Sequence, residues 1–445
     1  MASPLALLQL DVERLTNGPD ALAREPEGRV VFLDGGLPGE RVEAQIVEGR
    51  RDFARARVVR LLDPPGPSPH RRVPPCPIVK VCGGCPWQHV DHAEQLRLRE
   101  EVVLRELSRQ ARVAPREIRS TVHGAEWRTR NRVRLAIARR GGREPLVGFR
   151  GRGTHDVVAV EDCVVSHPAL VAALPLARAL GRVVASASEV ELLVDDRAGL
   201  RLRGFVAATD PVDAEAAFEA LRREARGHDL RGATLAGLSL EPVRRRDAAP
   251  AWRRFAGDVE QQVEVRPGVV LRVPLGVFTQ VNLTLNRELV AEVLDRVGDA
   301  RRVADLYAGC GNFSIPLALA GATVHGIEGD ATAVRAARAA AQDHGVESRC
   351  RFELRAVEAA LAKGALAPDV EAVVLDPPRA GAGAATEVLA RSRIARVVYV
   401  SCDVASFARD AATLHRAGYE CETLRLLDLT PQTYRAEVVG VFRLT

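Results

Sequence analysis

The residues that read most readily as chemistry are a cysteine and two acids. Val397–Asp403, VVYVSCD, is an apolar run that ends by presenting Cys402 between a serine and an aspartate. Asp376-Pro-Pro-Arg-Ala-Gly begins 26 residues before that cysteine, and Glu437 lies 35 residues after it. A lone free cysteine is most often a small buried hydrophobe. A cysteine at the end of a strand, with carboxylates in reach, suits another task. Carbon 5 of a pyrimidine is not nucleophilic until something adds at carbon 6, and a thiolate does this by covalent catalysis. The scheme then needs a partner that keeps the thiol ionised and a base that takes the C5 proton. Cys402 and Glu437 are the residue types it requires. Base amino-methylating enzymes often carry an aromatic after Pro-Pro; Arg379 stands at that position here, which argues against that chemistry.

A second constellation would hold a nucleoside. Val303-Ala-Asp-Leu-Tyr-Ala-Gly-Cys-Gly-Asn-Phe-Ser runs from a strand through a glycine turn into a helix. The next strand, Val324-His-Gly-Ile-Glu328, ends in an acid 17 residues after Gly311. Glycines admit a ligand closely and the acid takes ribose hydroxyls. Nicotinamide enzymes share this much. The third glycine of a dinucleotide fingerprint is replaced by Ser314, so S-adenosylmethionine, which carries no phosphate, fits better.

A third group reads as a metal centre. Cys76, Cys82 and Cys85 fall within ten residues, with Gly83-Gly84 letting the backbone wrap closely around sulfur. A cubane iron–sulfur cluster or a closed zinc site needs four thiolates. Cys163, in Val160-Glu-Asp-Cys-Val-Val, is the nearest further candidate; three protein thiolates plus an outside ligand is the fallback. Cys310, Cys350 and Cys421 read as structural.

The elements that must position these groups fall into three regions. With 445 residues, 47% hydrophobic and 27% charged, the chain can fill about three globular cores. Residues 4–62 alternate at period two between turn signals, with strands expected at Val30–Leu33, Arg41–Val47 and Phe53–Leu62, as in a compact barrel of the oligonucleotide-binding sort. Pro64–Pro69 is a proline-rich boundary. Asp91–Arg112 reads as an exposed amphipathic helix. Residues 128–152 hold nine arginines and one acid, Glu144, and the alternation Arg128-Thr-Arg-Asn-Arg-Val-Arg-Leu is expected to place guanidinium groups on one face of a strand, toward phosphates. Residues 165–260 mix alanine-rich helices and short strands and suggest no function. From Val303 onward, strands alternate with helices, which gives a doubly wound, mostly parallel sheet with Gly309, Glu328, Asp376 and Cys402 at the ligand-binding carboxyl ends. A net charge of +5 permits a polyanionic partner without demanding one. No stretch reads as a secretory leader or a bilayer-crossing run, so a cytoplasmic protein with no membrane partner is expected.

Together these stretches resemble the RNA 5-methyluridine (uracil-C5) methyltransferases, and the resemblance covers nearly the whole chain. Phe32-Leu-Asp-Gly-Gly-Leu-Pro-Gly-Glu is similar to the signature of the RNA-binding TRAM barrel. The four cysteines are similar to that family's [4Fe–4S] motif. Phe278-Thr-Gln-Val-Asn, the glycine turn, Asp376-Pro-Pro-Arg-Ala-Gly and Ser401-Cys-Asp match later motifs. The resemblance implies Gln280, Tyr307, Asn312, Glu328 and Asp376 at the cofactor, Cys402 as nucleophile and Glu437 as base. It also implies that the helix at 91–112 packs on the catalytic region. One departure stands out: Pro431-Gln-Thr-Tyr-Arg-Ala-Glu437 lacks the histidine usual before the base.

The expectation is therefore a multidomain α/β protein. Residues 1–63 form the TRAM-like barrel, 64–275 a central α+β RNA-binding region with the cluster motif, and 276–445 a class I, Rossmann-like methyltransferase sheet. It would act as a monomer on uridine C5 in structured ribosomal or transfer RNA. RNA 5-methylcytidine formation and non-catalytic RNA binding are the alternatives.

Overall fold

The computed structural model describes residues 7–139, 144–210, 212–243 and 252–445. Residues 4–6 of the expected barrel, and Arg140 and Arg143 of the arginine run, lie outside them. Five strands, β1 (Leu7–Leu15), β2 (Ala21–Arg24), β3 (Val30–Asp34), β4 (Arg41–Gly49) and β5 (Phe53–Leu61), close into a barrel in the order β1-β2-β3-β5-β4. Alternate residues fill it, among them Val12, Val31, Leu33, Val42, Ala44 and Ala54. The same core continues into Trp87, Val90 and Leu98, so the barrel is seated on the segment that carries these three side chains.

Helix α1 (His92–Glu106) starts where the Asp91 side chain accepts from the Glu94 amide, and it widens to a π turn over Leu107–Ala111. Strand β6 (Glu117–Val122) comes next. The central region is a seven-stranded sheet. It is built from β7 (Arg132–Ala138), β8 (Leu146–Arg150), β9 (Val157–Ala159), β10 (Glu189–Val194), β11 (Gly199–Val206), β12 (Thr234–Pro242) and β13 (Arg254–Gly257), ordered β13-β12-β11-β10-β7-β8-β9. Helices α2 (Pro168–Ala172), α3 (Leu174–Val183) and α4 (Ala214–Ala225) cover one face, with Leu176, Leu180, Phe218 and Leu221 against Leu135, Leu192, Leu202 and Leu238.

The other face carries the arginines, in a form that corrects the sequence expectation. Arg128 sits at a φ of 60° and Arg130 makes only an isolated bridge to Ser166, so the strand begins at Arg132 rather than Arg128. Arg132 and Arg134 stand across from β10, where Glu191 and Glu189 pair with them at 3.8 and 2.5 Å. Like charges on adjacent strands repel unless acids are interleaved. The result is a lattice of ion pairs in place of a bare cationic stripe.

The third region starts with the hairpin β14 (Glu260–Arg266) and β15 (Val269–Pro274) and helix α5 (Leu283–Val297). Then come β16 (Arg302–Leu306), α6 (Ser314–Leu319), β17 (Thr323–Glu328), α7 (Ala331–Asp343), β18 (Cys350–Leu354), α8 (Val357–Ala362), β19 (Ala372–Leu375) and α9 (Gly383–Ser392). The chain ends with β20 (Arg396–Ser401), α10 (Val404–Arg416), β21 (Tyr419–Leu427) and β22 (Glu437–Leu444). Eight strands form the sheet β18-β17-β16-β19-β20-β22-β21-β6, parallel from β18 to β20 and antiparallel at β22. The strands are apolar on both faces because both are covered. Val303, Val374, Val398 and Val400 point to a core shared with the β14–β15 hairpin, α5 and α7. Ala304, Leu375, Val397 and Tyr399 point to a second core shared with α8, α9 and α10. Val103, Leu107 and Ala111, at the end of α1 and in its π turn, belong to that second core. Helix α1 therefore packs on the eight-stranded sheet although it precedes the parallel strands by some two hundred residues of chain, as does β6, which adds the outermost strand beside β21. Among the described residues no helix is long and apolar enough to cross a membrane.

Candidate active site

The predicted site residues line up along one edge of the eight-stranded sheet. In register, Ile327, Leu306, Leu375 and Tyr399 lie side by side on β17, β16, β19 and β20, and Ser401 pairs with Val438 of β22. Glu328, Tyr307, Asp376 and Cys402 come just beyond these positions, and Glu437 opens β22 one residue before Val438. Extending the Ser401–Val438 register by one step sets Cys402 opposite Glu437. From Glu328 to Glu437 the row crosses four strand spacings, or about 19 Å at roughly 4.8 Å each. That is long enough for a nucleoside at one end and a second ring at the other.

The β17–β16 end is shaped to receive a nucleoside. After β16 the chain passes through positive φ at Tyr307 (63°), Gly309 (55°) and Gly311 (92°). A Cβ at Gly311 would stand 2.9 Å from Ile315, whereas one at Gly309 would meet nothing within 4 Å among the described residues, its chain neighbours aside. The turn is thus tight on its helix side and open on the other. Glu328 accepts the Gly309 amide at 3.0 Å and the Asp330 amide at 2.7 Å, which aims its carboxylate at the turn. The Tyr307 hydroxyl donates to Glu358 at 2.6 Å. Asn312 exchanges two hydrogen bonds with Asn286 of α5, at 2.9 and 3.2 Å, so its amide is engaged by protein. Gln280 is half-buried on the segment leading into α5, whose cap is Asn282. Asp305 is fully buried and takes the Ser314 hydroxyl at 2.5 Å on one oxygen; the other has no hydrogen-bond partner among the described residues. Burial, with Glu328 nearby, pushes its carboxyl up to about 7.

The β19–β20–β22 end gathers reactive groups. Burial, then the Glu437 and Asp376 charges, pushes the Cys402 thiol up to about 11; the positive charge of the Arg379 guanidinium pulls the other way. Burial and the charge of Asp305 raise Asp376 to about 7. Burial also lifts Glu437 well above the usual carboxylate range, with Asp376 adding to the rise and Arg379 opposing it. Near neutrality the carboxyls of this cluster do not all carry charge together. Cys402 immediately precedes Asp403, which caps α10 by accepting the Ser406 amide at 2.9 Å.

Sequence reasoning missed Arg379 as the thiol's partner, having used it only to argue against an aromatic stacker. A cation three residues after an acid in Asp376-Pro-Pro-Arg379 was the available signal. It also missed the clamp that sets the loop. Asp410 of α10 accepts the Tyr399 hydroxyl at 2.6 Å and the Ala382 amide at 2.7 Å, and Arg409 donates to the Ala380 carbonyl at 2.8 Å. The helix that begins beside Cys402 therefore also grips the Arg379 loop. Arg379→Gln is expected to move the pH midpoint of Cys402 alkylation by iodoacetamide upward and to slow the reaction several-fold at pH 9, because the cation that favours thiolate is gone. Peptide mass spectrometry across a pH series reads this. An unchanged midpoint would deny Arg379 the role.

Cys76, Cys82, Cys85 and Cys163 line one small recess, together with Gln88, Asp162 and the apolar walls of Ile78, Val79, Phe149, Val164 and Val165. Asp162 is committed to Arg128 through two hydrogen bonds, 2.5 and 2.7 Å, which leaves sulfur as the free donor type there. Among the described residues no three His, Cys, Asp or Glu side chains stand close enough to hold a single metal ion. Cys310 and Cys421 are buried and Cys350 is half-buried.

Comparison with known proteins adds three findings. Residues 258–444 match the family model described as tRNA (Uracil-5-)-methyltransferase, and residues 8–59 match the TRAM domain. The chain is 35% identical over 441 residues to the 23S rRNA (uracil(1939)-C(5))-methyltransferase RlmD of Pseudomonas aeruginosa, covering 98% of this chain and 93% of that one. To the enzyme of the same name from Shewanella baltica it is 32% identical over 450 residues, covering 99% and 96%. Its fold matches the crystal structure of the Pyrococcus abyssi tRNA (uracil-54, C5)-methyltransferase in complex with S-adenosyl-L-homocysteine, with a TM-score of 0.73 at 22% identity, over 97% of this chain and 99% of that one.

Proposed function

The chain belongs to the RNA uracil-C5 methyltransferase family, and on that premise we propose how its row of strand-end residues carries out the reaction. It is an S-adenosylmethionine-dependent enzyme that methylates uridine C5 in RNA. The cofactor supplies an electrophilic methyl group. The open side of Gly309 and the carboxylate of Glu328 suit a nucleoside laid over β17 and β16. Tyr307, Asn312 and Gln280 would border it, and Asp376 would stand where cofactor and pyrimidine meet. The target uridine, flipped from its stack, fits over β20 and β22. Cys402 adds to C6, which makes C5 nucleophilic toward the methyl group. Glu437 then removes the C5 proton, and elimination restores the Cys402 thiol. A base whose pKa is raised toward the working pH is matched to that proton.

The four cysteines support a [4Fe–4S] reading over zinc. They share one recess, and their spacing is that of the family's cluster motif, in which thiolates meet the corners of a cubane. Cys76, Cys82, Cys85 and Cys163 would hold it, and it would order the loop between barrel and α1. Iron and sulfide analysis of anaerobically purified protein tests this. For RNA, exposed Phe278, with the Arg132 guanidinium 5.5 Å from its ring, offers a stacking surface two residues before Gln280. The enzyme would act in the cytoplasm as a monomer.

The observation that supports the choice of substrate is 35% and 32% identity, over nearly the full length, to enzymes named for uracil 1939 of 23S rRNA. The corresponding uridine is the proposed target. Mapping 5-methyluridine in ribosomal and transfer RNA of a deletion strain should show loss at that one position, restored by the wild-type protein. Loss confined to transfer RNA would move the target, and loss of 5-methylcytidine instead would change the reaction.

A further inference from the structure

The turn between β21 and β22, residues 428–436, leads directly into Glu437, and its anchors come from far upstream. Asp428 receives Arg99 at 2.7 Å on one oxygen and faces His92 at 2.7 Å on the other, while its amide donates to Val122 of β6 at 2.9 Å. Arg99 also donates to the Thr433 carbonyl at 2.9 Å. Tyr434 packs against the core of the N-terminal barrel.

Gln432 is the hub. It has no exposed surface and holds a φ of 69°, a left-handed conformation that a non-glycine residue adopts only when its surroundings enforce it. Its side-chain oxygen accepts from Arg72 at 2.8 Å and from Gln95 at 2.9 Å, and its side-chain nitrogen donates to Glu126 at 3.2 Å. Its amide donates to the Gln95 side chain at 3.0 Å, and its carbonyl accepts from Trp87, two residues past Cys85, at 3.1 Å. One residue five positions before the base is thereby tied to four separate stretches of residues 72–126.

We propose that Gln432 is a positioning residue for proton abstraction, holding the β21–β22 turn so that Glu437 meets the C5 proton only while the upstream region is docked. This rests on the reading of Glu437 as the base. The competing possibility is that the β20–β22 register already fixes Glu437 and the network only adds stability. The two differ in which step of the reaction suffers. If Glu437 is displaced, Cys402 addition and methyl transfer continue, but the methylated adduct cannot shed its proton. A merely structural role would weaken every step together.

The experiment mixes full-length protein with unmodified target RNA and S-adenosylmethionine labelled in the methyl group, then measures labelled, denaturant-resistant protein–RNA complex and free labelled RNA. Gln432→Asn tolerates the left-handed backbone but is one methylene too short for its partners. Gln95→Met attacks the same hub from α1 should the first variant fold poorly. Both are expected to form adduct at close to the wild-type rate and to release product roughly 10- to 100-fold more slowly, the scale of effect from a small misplacement of a reacting group. Adduct formation on 5-fluorouridine RNA, which needs no proton abstraction, should stay within about two-fold of wild type. Release at the wild-type rate in both variants would overturn the proposal, as would adduct formation that falls in step with release. Glu437→Gln run alongside separates the two claims: if it accumulates no adduct, the base assignment fails, whereas if it does and the Gln432 and Gln95 variants do not, the positioning role fails.

Discussion

Cys402→Ala is expected to reduce uridine methylation on the order of 10⁴-fold or more, the scale seen when a nucleophile that works as part of a unit is removed. Position and chemistry together set that magnitude. The thiol lies at the carboxyl end of β20, opposite Glu437 when the Ser401–Val438 register is carried one step further, with the Arg379 charge lowering its pKa. Without addition at C6 the pyrimidine has no nucleophilic carbon to offer, so no other group along the strand ends can replace the sulfur. The loss should appear in kcat, with RNA affinity nearly unchanged, because a single half-buried sulfur contributes little to a phosphate-dominated complex. Alanine should also fold normally, since it deletes one atom at a half-buried position. Single-turnover methyl transfer, with RNA binding measured in parallel, checks the split. A variant retaining more than about a hundredth of the wild-type rate would assign the nucleophile elsewhere.

Glu437→Gln is expected to fail at a later step and in a different way. The amide matches the acid in shape but cannot accept the C5 proton, so overall turnover should fall about 10²- to 10⁴-fold, the usual worth of a general base. Methyl transfer should still occur, leaving Cys402 bound to methylated RNA that carries no analogue. The direction of the Glu437 shift sets the pH dependence. Burial and the nearby Asp376 charge raise its pKa, so the base is protonated, and product release slow, below that raised value; release accelerates as pH climbs through it. In Glu437→Gln this rise with pH should vanish from the release step. A variant that releases methylated RNA normally, or retains the same pH profile, would remove Glu437 from the role.

Much of the row of strand-end residues was legible in the sequence because Glu328, Asp376 and Cys402 each follow an apolar run, whereas Glu437 opens its strand and was named from the family resemblance. An apolar strand ending in Cys402, Glu328 or Asp376 announces its own place in a parallel sheet, since ligands gather at carboxyl ends. The barrel was legible from period-two alternation, and strands β3, β4 and β5 fall where that alternation predicted them. The arginine run was less so. Alternation was present from Arg128, but the left-handed backbone at Arg128 breaks the strand, and the acids that neutralise Arg132 and Arg134 lie more than fifty residues later on β10. No local pattern reveals a cross-strand partner at that separation. The Asp410–Ala382 clamp and the Gln432 hub were hidden for the same reason, because each joins residues distant in sequence through uncharged or single-residue contacts. Fold-level periodicity belongs to one segment, whereas the positioning of a catalytic group is a property of several.

The central claim, that Cys402 opens the pyrimidine ring to methylation, is tested most directly by trapping the intermediate. Target RNA carrying 5-fluorouridine should be incubated with the protein and S-adenosylmethionine, then digested with protease and nuclease for mass spectrometry. Fluorine at C5 cannot leave as a proton does, so the predicted result is a stable adduct whose mass comprises one fluorouridine nucleotide, one methyl group and the peptide containing Cys402. Absence of an adduct under conditions where ordinary RNA is methylated, or an adduct that persists in Cys402→Ala, would contradict it.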